Sequence, residues 1–128
     1  MSNSIASDMK NDINTATDIK IKLISNGFFN MDNLWSLSNY LNPTIAKLSV
    51  VDIGIDRIIK FETFIPTYDI IKNYEIVQVM RCLINDDRNR ISLRSILTEE
   101  ELQFLDFHFE MLYTIESFPN TNAIYVRI

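Results

Sequence analysis

Cysteine, glycine and proline are scarce in this chain: one cysteine, two glycines and three prolines occur among 128 residues. A single thiol, Cys82, cannot form an internal disulfide or supply a zinc site built from several cysteines. Gly27 and Gly54 are too few for the glycine-rich loops that hold nucleotide phosphates. The sequence therefore excludes disulfide-stabilised scaffolds and the common nucleotide-binding fingerprints, and it predicts neither a metal nor a cofactor.

Long apolar runs are also absent. No stretch approaches the roughly 18 apolar residues of a membrane-spanning helix, and residues 1–17 lack the apolar centre of a secretory signal. A lone cysteine fits a reducing compartment. We therefore expect a cytoplasmic protein that does not contact a membrane.

The apolar content that is present is sufficient for a folded core. Hydrophobic residues make up 47% of the chain, and a chain of this length buries roughly two thirds of its unfolded surface. We expect one domain covering residues 1–128, with residues 1–7 as a flexible N-terminal tail.

Three segments carry helical signals. In Ser7–Asn26, residues 9, 13, 16, 20 and 23 recur at helical spacing, and Gly27 can adopt the left-handed conformation that ends a helix. A short helix is expected over Asp32–Leu41 and a longer one over Tyr68–Ile84. A polar loop at 85–90 and a short strand or helical turn at 91–97 are expected next.

Residues 43–64 fit two patterns. Asn42-Pro43 is a helix start signal, and apolar residues follow it at helical spacing up to Ile59. The same stretch is rich in β-branched residues and alternates with period two, which favours a hairpin. We prefer the helix and keep the hairpin as the alternative.

The strongest local signal is a capping box at Thr98 and Glu101, in which each side chain binds the other residue's backbone amide. The helix that follows is expected to reach about Ser117 and to be surrounded by other elements, because apolar residues occupy two of its sides. The first side carries Leu102, Leu105, Phe109 and Leu112, and the second carries Phe104, Phe107, Met111, Ile115 and Phe118. A turn and a short strand over 123–128 complete the chain.

The resulting fold prediction is a mainly α protein, a compact bundle of about five helices with a short C-terminal strand. The alternative is an α+β domain, in which residues 50–64 and 123–128 pair in a small sheet.

The charge distribution indicates a function. Between Ser95 and Val126 there are six acidic residues and no lysine or arginine, so that one helix face is acidic and can attract a basic partner. We expect a non-catalytic protein-binding module, such as an inhibitor, immunity protein or adaptor, that docks another protein with a basic surface. The expected contact residues are Glu99, Glu100, Gln103, Asp106 and Glu110, with Asp86 and Asp87.

Two alternatives are weaker. Arg88, Arg90 and Arg94 form a small basic cluster that suits nucleic-acid phosphates, but the net charge is −5, and three glutamates open the adjacent helix and would be repelled by a phosphate backbone. An enzyme centred on Cys82 and His108 would need the two side chains within hydrogen-bond reach.

A calcium site is not predicted either, because residues 84–95 lack the anchoring acids of a calcium loop.

Overall fold

The fold is known from a computed structural model that describes the backbone of residues 2–34, 45–53, 56–63, 69–117 and 122–128. These ranges contain five α-helices, a 3-10 turn over Phe109–Leu112 and four strands. The helices are α1 (Ser2–Ser25), α2 (Met31–Leu34), α3 (Asp69–Asn85), α4 (Asp87–Ile96) and α5 (Glu99–His108), and the strands are β1 (Ile45–Ile53), β2 (Asp56–Thr63), β3 (Thr114–Ser117) and β4 (Ala123–Arg127).

The four strands form one antiparallel sheet in the order β1-β2-β4-β3. The protein is therefore α+β, and the prediction of a mainly α bundle with one short strand is wrong. The preferred fold gave the terminal strand no partner, whereas the alternative paired it with residues 50–64. In the structure β4 lies between β2 and β3, and its backbone amides and carbonyls find hydrogen-bond partners on both sides.

The helix favoured within residues 43–59 is replaced by the hairpin β1–β2. On β2, Ile59 and Phe61 on one face are fully buried, and on the other face Ile58 is buried and Lys60 half-buried, so the alternation of a strand is clear only from Ile59 onward. Apolar residues, isoleucine above all, are frequent throughout this segment, so some of them fall at helical spacing by chance. The β-branched content and the alternation were the better signals.

Helix α1 ends where the sequence predicts. Gly27 has a φ of 69°, and the Phe28 amide donates to the Leu23 carbonyl over 2.9 Å, which is the hydrogen bond of a Schellman C-cap. The helix begins at Ser2, so the backbone of residues 2–7, expected as a flexible tail, is helical. Its buried side carries Ala16, Ile19 and Leu23, whereas Met9 and Ile13, predicted on the same stripe, are exposed.

Helix α3 matches its predicted segment, but the polar loop expected at 85–90 is wrong. Helix α4 begins almost at once, with Asp86 as its N-cap accepting hydrogen bonds from the amides of Arg88 and Asn89 over 3.1 and 3.3 Å. Aspartate and asparagine favour both loops and helix starts. The segment 91–97, left open between strand and helical turn, continues α4.

The capping box at the start of α5 is confirmed. Thr98 Oγ1 accepts from the Glu101 amide over 3.2 Å, and Glu101 Oε1 accepts from the Thr98 amide over 3.0 Å. The expected helix to Ser117 is wrong after His108, where a 3-10 turn and β3 follow. Ile115 pairs with Val126 of β4, so sheet pairing ends the helix. Most of the turn expected at 118–122 lies outside the described residues.

One cluster of buried apolar side chains includes members of all five described helices and of β2 and β4. Leu105 and Phe109 belong to it, with 0% and 1% of their surface exposed. The core therefore fixes α5 by one side and leaves its opposite side at the surface.

Candidate functional site: the outer face of α5

The outer face of α5 consists of the exposed residues of this helix together with Glu110, the exposed second residue of the 3-10 turn that follows it. Leu102 and Leu105 point into the core, so residues on the other side of a 3.6-residue repeat must face water. The exposed members are Glu99, Glu100, Gln103, Asp106, Phe107 and Glu110. Five of these six residues are those that the sequence indicated for partner contact.

Phe107 is the member that the sequence analysis placed wrongly. It was assigned to a second buried side of the helix, but 76% of its surface is exposed. The helix lies at the edge of the core: Phe104 and Ile115 of the same apolar side pack against the core cluster, whereas Phe107 and Met111 are exposed. The residue spacing does indicate an exposed position for Phe107. It lies four residues after Gln103 and three before Glu110, which puts it beside the polar stripe.

Two arginines from other helices hold the C-terminal end of this face. Arg90 of α4 binds Asp106 through both guanidinium arms, with Nη1–Oδ1 and Nη2–Oδ2 distances of 2.6 and 3.2 Å. Arg81 of α3 donates from Nη1 to the Asp106 carbonyl over 3.1 Å and lies 3.6 Å from Glu110 Oε2. A bidentate pair is more rigid than a single contact. Asp106 and Glu110 are therefore partly neutralised and fixed in place.

The N-terminal end of the face carries the charge that is least compensated. Glu99 and Glu100 are exposed, and within the described part of the chain neither makes a hydrogen bond or ion pair through its side chain. Their carboxylates also complement the positive end of the α5 dipole. The negative potential of the face is thus concentrated in the first turn.

Glu101, the next residue, has its carboxylate engaged in contacts within the protein. Both of its carboxylate oxygens lie near Lys22 Nζ, at 2.7 and 2.8 Å, and its side chain is only 15% exposed. Partial burial acts to raise the pKa of Glu101, but the hydrogen bonds from Lys22 and Thr98 and the charge of Lys22 outweigh burial and lower it. This residue ties α1 to the start of α5.

Asp86 and Asp87 lie at the start of α4. Asp86 caps the helix, and Asp87 is exposed in its first turn. Among the described residues, no hydrogen bond or ion pair joins either of them to the outer face of α5. Their predicted part in partner contact stays a prediction, and Asp86 already has a structural role.

The residues of the two weaker alternatives lie on three helices. Arg90 on α4 is bound to Asp106, whereas Arg88 and Arg94 on the same helix are exposed, and their predicted part in nucleic-acid binding stays a prediction. Cys82 is half-buried on α3. The His108 ring packs against Phe104 with 4.8 Å between ring centroids, and no hydrogen bond between Cys82 and His108 is present in the described structure.

The described residues hold no group of three or more histidine, cysteine or acidic side chains placed to bind a metal ion. None of their helices combines the length and apolar character needed to cross a bilayer.

No protein-family model, no curated protein and no solved structure matches this chain. Its function is therefore argued from the chemistry of the outer face of α5: an exposed aromatic ring, two glutamates at one end and two arginine-bound carboxylates at the other.

Proposed function

We propose that the chain is a non-catalytic protein-binding module, in the manner of an inhibitor, immunity protein or adaptor, and that it docks through the outer face of α5. The observation that carries the proposal is Phe107, a large aromatic side chain with 76% of its surface exposed in the middle of an acidic face. Interfaces are enriched in aromatic anchors surrounded by a polar rim.

In this proposal Phe107 is the anchor, which supplies affinity. The exposed carboxylates around it are the rim, which supplies selectivity. Burying a phenylalanine side chain in a partner's pocket contributes about 1.5–3 kcal/mol. The rim carboxylates favour a partner whose pocket is bordered by lysine and arginine, and they speed the encounter at low salt. The partner we propose is therefore a protein with an apolar pocket set in a basic surface.

The arginine contacts prepare the face for docking. Asp106 is clamped by Arg90, and Arg81 binds the adjacent backbone carbonyl. Phe107 follows Asp106 directly, so its backbone position is fixed before a partner arrives. A fixed anchor loses less conformational entropy on binding than a mobile one.

Affinity capture with three forms of the full chain tests this proposal. Wild type, Phe107→Ser and Met9→Ser are immobilised and exposed to native lysate, and retained proteins are identified by mass spectrometry. Met9 is a matched control because it is apolar and 62% exposed, but lies on α1. We expect a basic protein that wild type and Met9→Ser retain and that Phe107→Ser loses at least tenfold, which corresponds to about 1.4 kcal/mol.

The rim is tested with the purified partner. Replacing Glu99 and Glu100 by glutamine should lower the association rate and its dependence on salt, while the dissociation rate changes little. The proposal is wrong if wild type and Phe107→Ser retain the same proteins. It is also wrong if no specific protein is retained while the chain turns over a small molecule.

A further inference from the structure

A cavity of about 210 Å³ lies away from the outer face of α5, where α1 meets the ends of β3 and β4. Its polar lining comes from distant parts of the chain: Lys20 on α1, Tyr113 and Thr114 at the start of β3, and Arg127 near the end of β4. Two cationic residues from distant parts of the chain therefore line the cavity only because of the fold.

The rest of the lining is apolar. Leu112 and Ile128 are almost fully buried, and Met111 is partly exposed at the surface. The cavity is smaller than the roughly 300–1,000 Å³ of pockets for drug-sized ligands. A ligand that fits must be small, with one polar end and a short apolar part.

The charge of this lining differs from that of the whole chain, whose net charge is −5. None of the described residues that line the cavity is acidic. Glu116 binds Arg127 from outside the lining, with 3.1 Å between its Oε1 and Arg127 Nε, and so compensates part of that charge. The half-buried Lys20 makes no ion pair with any described acidic residue, so its ammonium group is the charge that a bound anion would pair with.

From these features we propose that the cavity binds a small amphiphilic anion, with a carboxylate or phosphate head at Lys20 and Arg127 and a short apolar tail against Met111, Leu112 and Ile128. Thr114 lines the same cavity and carries a hydroxyl group that can donate a hydrogen bond to such a head.

A titration of the isotope-labelled full chain, followed by amide chemical shifts, tests the proposal. The probes are butyrate and butyl phosphate, with neutral butyramide as their control. We expect saturable shifts at residues 111–114 and 127–128, with a dissociation constant on the order of 1 mM for ligands of this size. A preference for butyrate or for butyl phosphate then identifies the head group.

Variants of Lys20 make the test specific. Lys20→Gln should weaken anion binding about tenfold or more, because a charged hydrogen bond is lost, and Lys20→Arg should retain most of it. Lys10→Gln is the matched control, since it removes the same charge from an exposed position of the same helix. All variants should keep the circular dichroism spectrum of the wild type.

Three results would overturn the proposal: no saturable shift with either anion, equal binding of butyramide, or equal affinity of Lys20→Gln and Lys10→Gln. Because Phe107 does not line the cavity, Phe107→Ser should bind the anions like wild type. Failure of the docking proposal and failure of this one are therefore distinguishable.

Discussion

At the scale of single residues, Asn89 shows how a polar side chain can be required in the core. It is 1% exposed, and its Nδ2 donates to the carbonyls of Leu83 and Asn33 over 2.9 and 3.4 Å. Leu83 lies in the last turn of α3, where carbonyls lack partners within the helix. Asn89 thus joins the end of α3 to the start of α4 and to α2.

We predict that Asn89→Asp destabilises the protein by about 3 kcal/mol or more at pH 7, because a buried carboxylate would face two carbonyl oxygens. Burial raises the pKa of such a carboxyl above its unfolded value of about 3.9. The loss should therefore be full above the folded pKa and should disappear as the pH falls below about 4. Urea denaturation at several pH values measures it.

The control for this prediction is Asn11→Asp, which makes the same change at an exposed position of α1. It should leave the free energy of unfolding within about 0.5 kcal/mol of wild type. If Asn89→Asp is equally mild at pH 7, Asn89 does not hold the helix ends in the way described.

At the scale of elements, the start of α5 combines a local signal with a contact to α1. The capping box satisfies free amides of the first turn, and the same Glu101 carboxylate binds Lys22. A glutamine at position 101 would retain an oxygen for the Thr98 amide but would lose the charge. This substitution therefore separates the cap from the ion pair.

We predict that Glu101→Gln lowers the free energy of unfolding at pH 7 by about 1 kcal/mol or less. Because the pKa of Glu101 is lower in the folded protein than its unfolded value of about 4.3, its charge stabilises the fold above that value. This stabilisation is lost as the pH falls through the folded pKa. Wild type and Glu101→Gln should therefore converge as the pH falls below the folded pKa, which thermal unfolding across pH would show.

Glu99→Gln serves as the comparison, because Glu99 is in the same first turn but has no ion pair with a described residue. It should have a smaller effect than Glu101→Gln at pH 7. A pH-independent difference between wild type and Glu101→Gln would mean that the ion pair with Lys22 does not contribute.

At the scale of the whole molecule, the central strands β2 and β4 attach the sheet to the helices. Phe61 is fully buried, and its backbone partners are Leu48 of β1 and Ile124 of β4. The same core cluster contains Phe61 and residues of every described helix. Sheet and helices should therefore unfold together.

We predict that Phe61→Ala costs about 3–5 kcal/mol, a large share of the roughly 5–15 kcal/mol that stabilises a typical domain. Helix loss followed by circular dichroism and sheet loss followed by infrared absorption should share one transition. Lys60→Ala, on the neighbouring half-buried position of the same strand, should move the denaturation midpoint little. Loss of the sheet signal with intact helices would contradict a shared core.

Local chemistry determined two features of this protein from the sequence alone: the capping box at Thr98 and the glycine that ends α1. Each depends on groups within a few residues of one another, so nearby side chains are sufficient to specify them. The approximate extents of α3 and of the C-terminal strand were also predicted, from residue patterns along each segment. The acidic residues on the outer face of α5 could also be predicted from the sequence, because polar residues recur there at helical spacing.

Only the tertiary structure decided the rest. Residues 45–53 and 56–63 form strands because they pair with each other and because β4, far away in sequence, pairs with β2, and β3 follows the last helix because it too pairs with β4. Phe107 is exposed because the core covers α5 on one side only, and Lys20 meets Arg127 only through the fold. Burial and long-range pairing depend on which surfaces meet, and residue spacing along one segment does not carry that information.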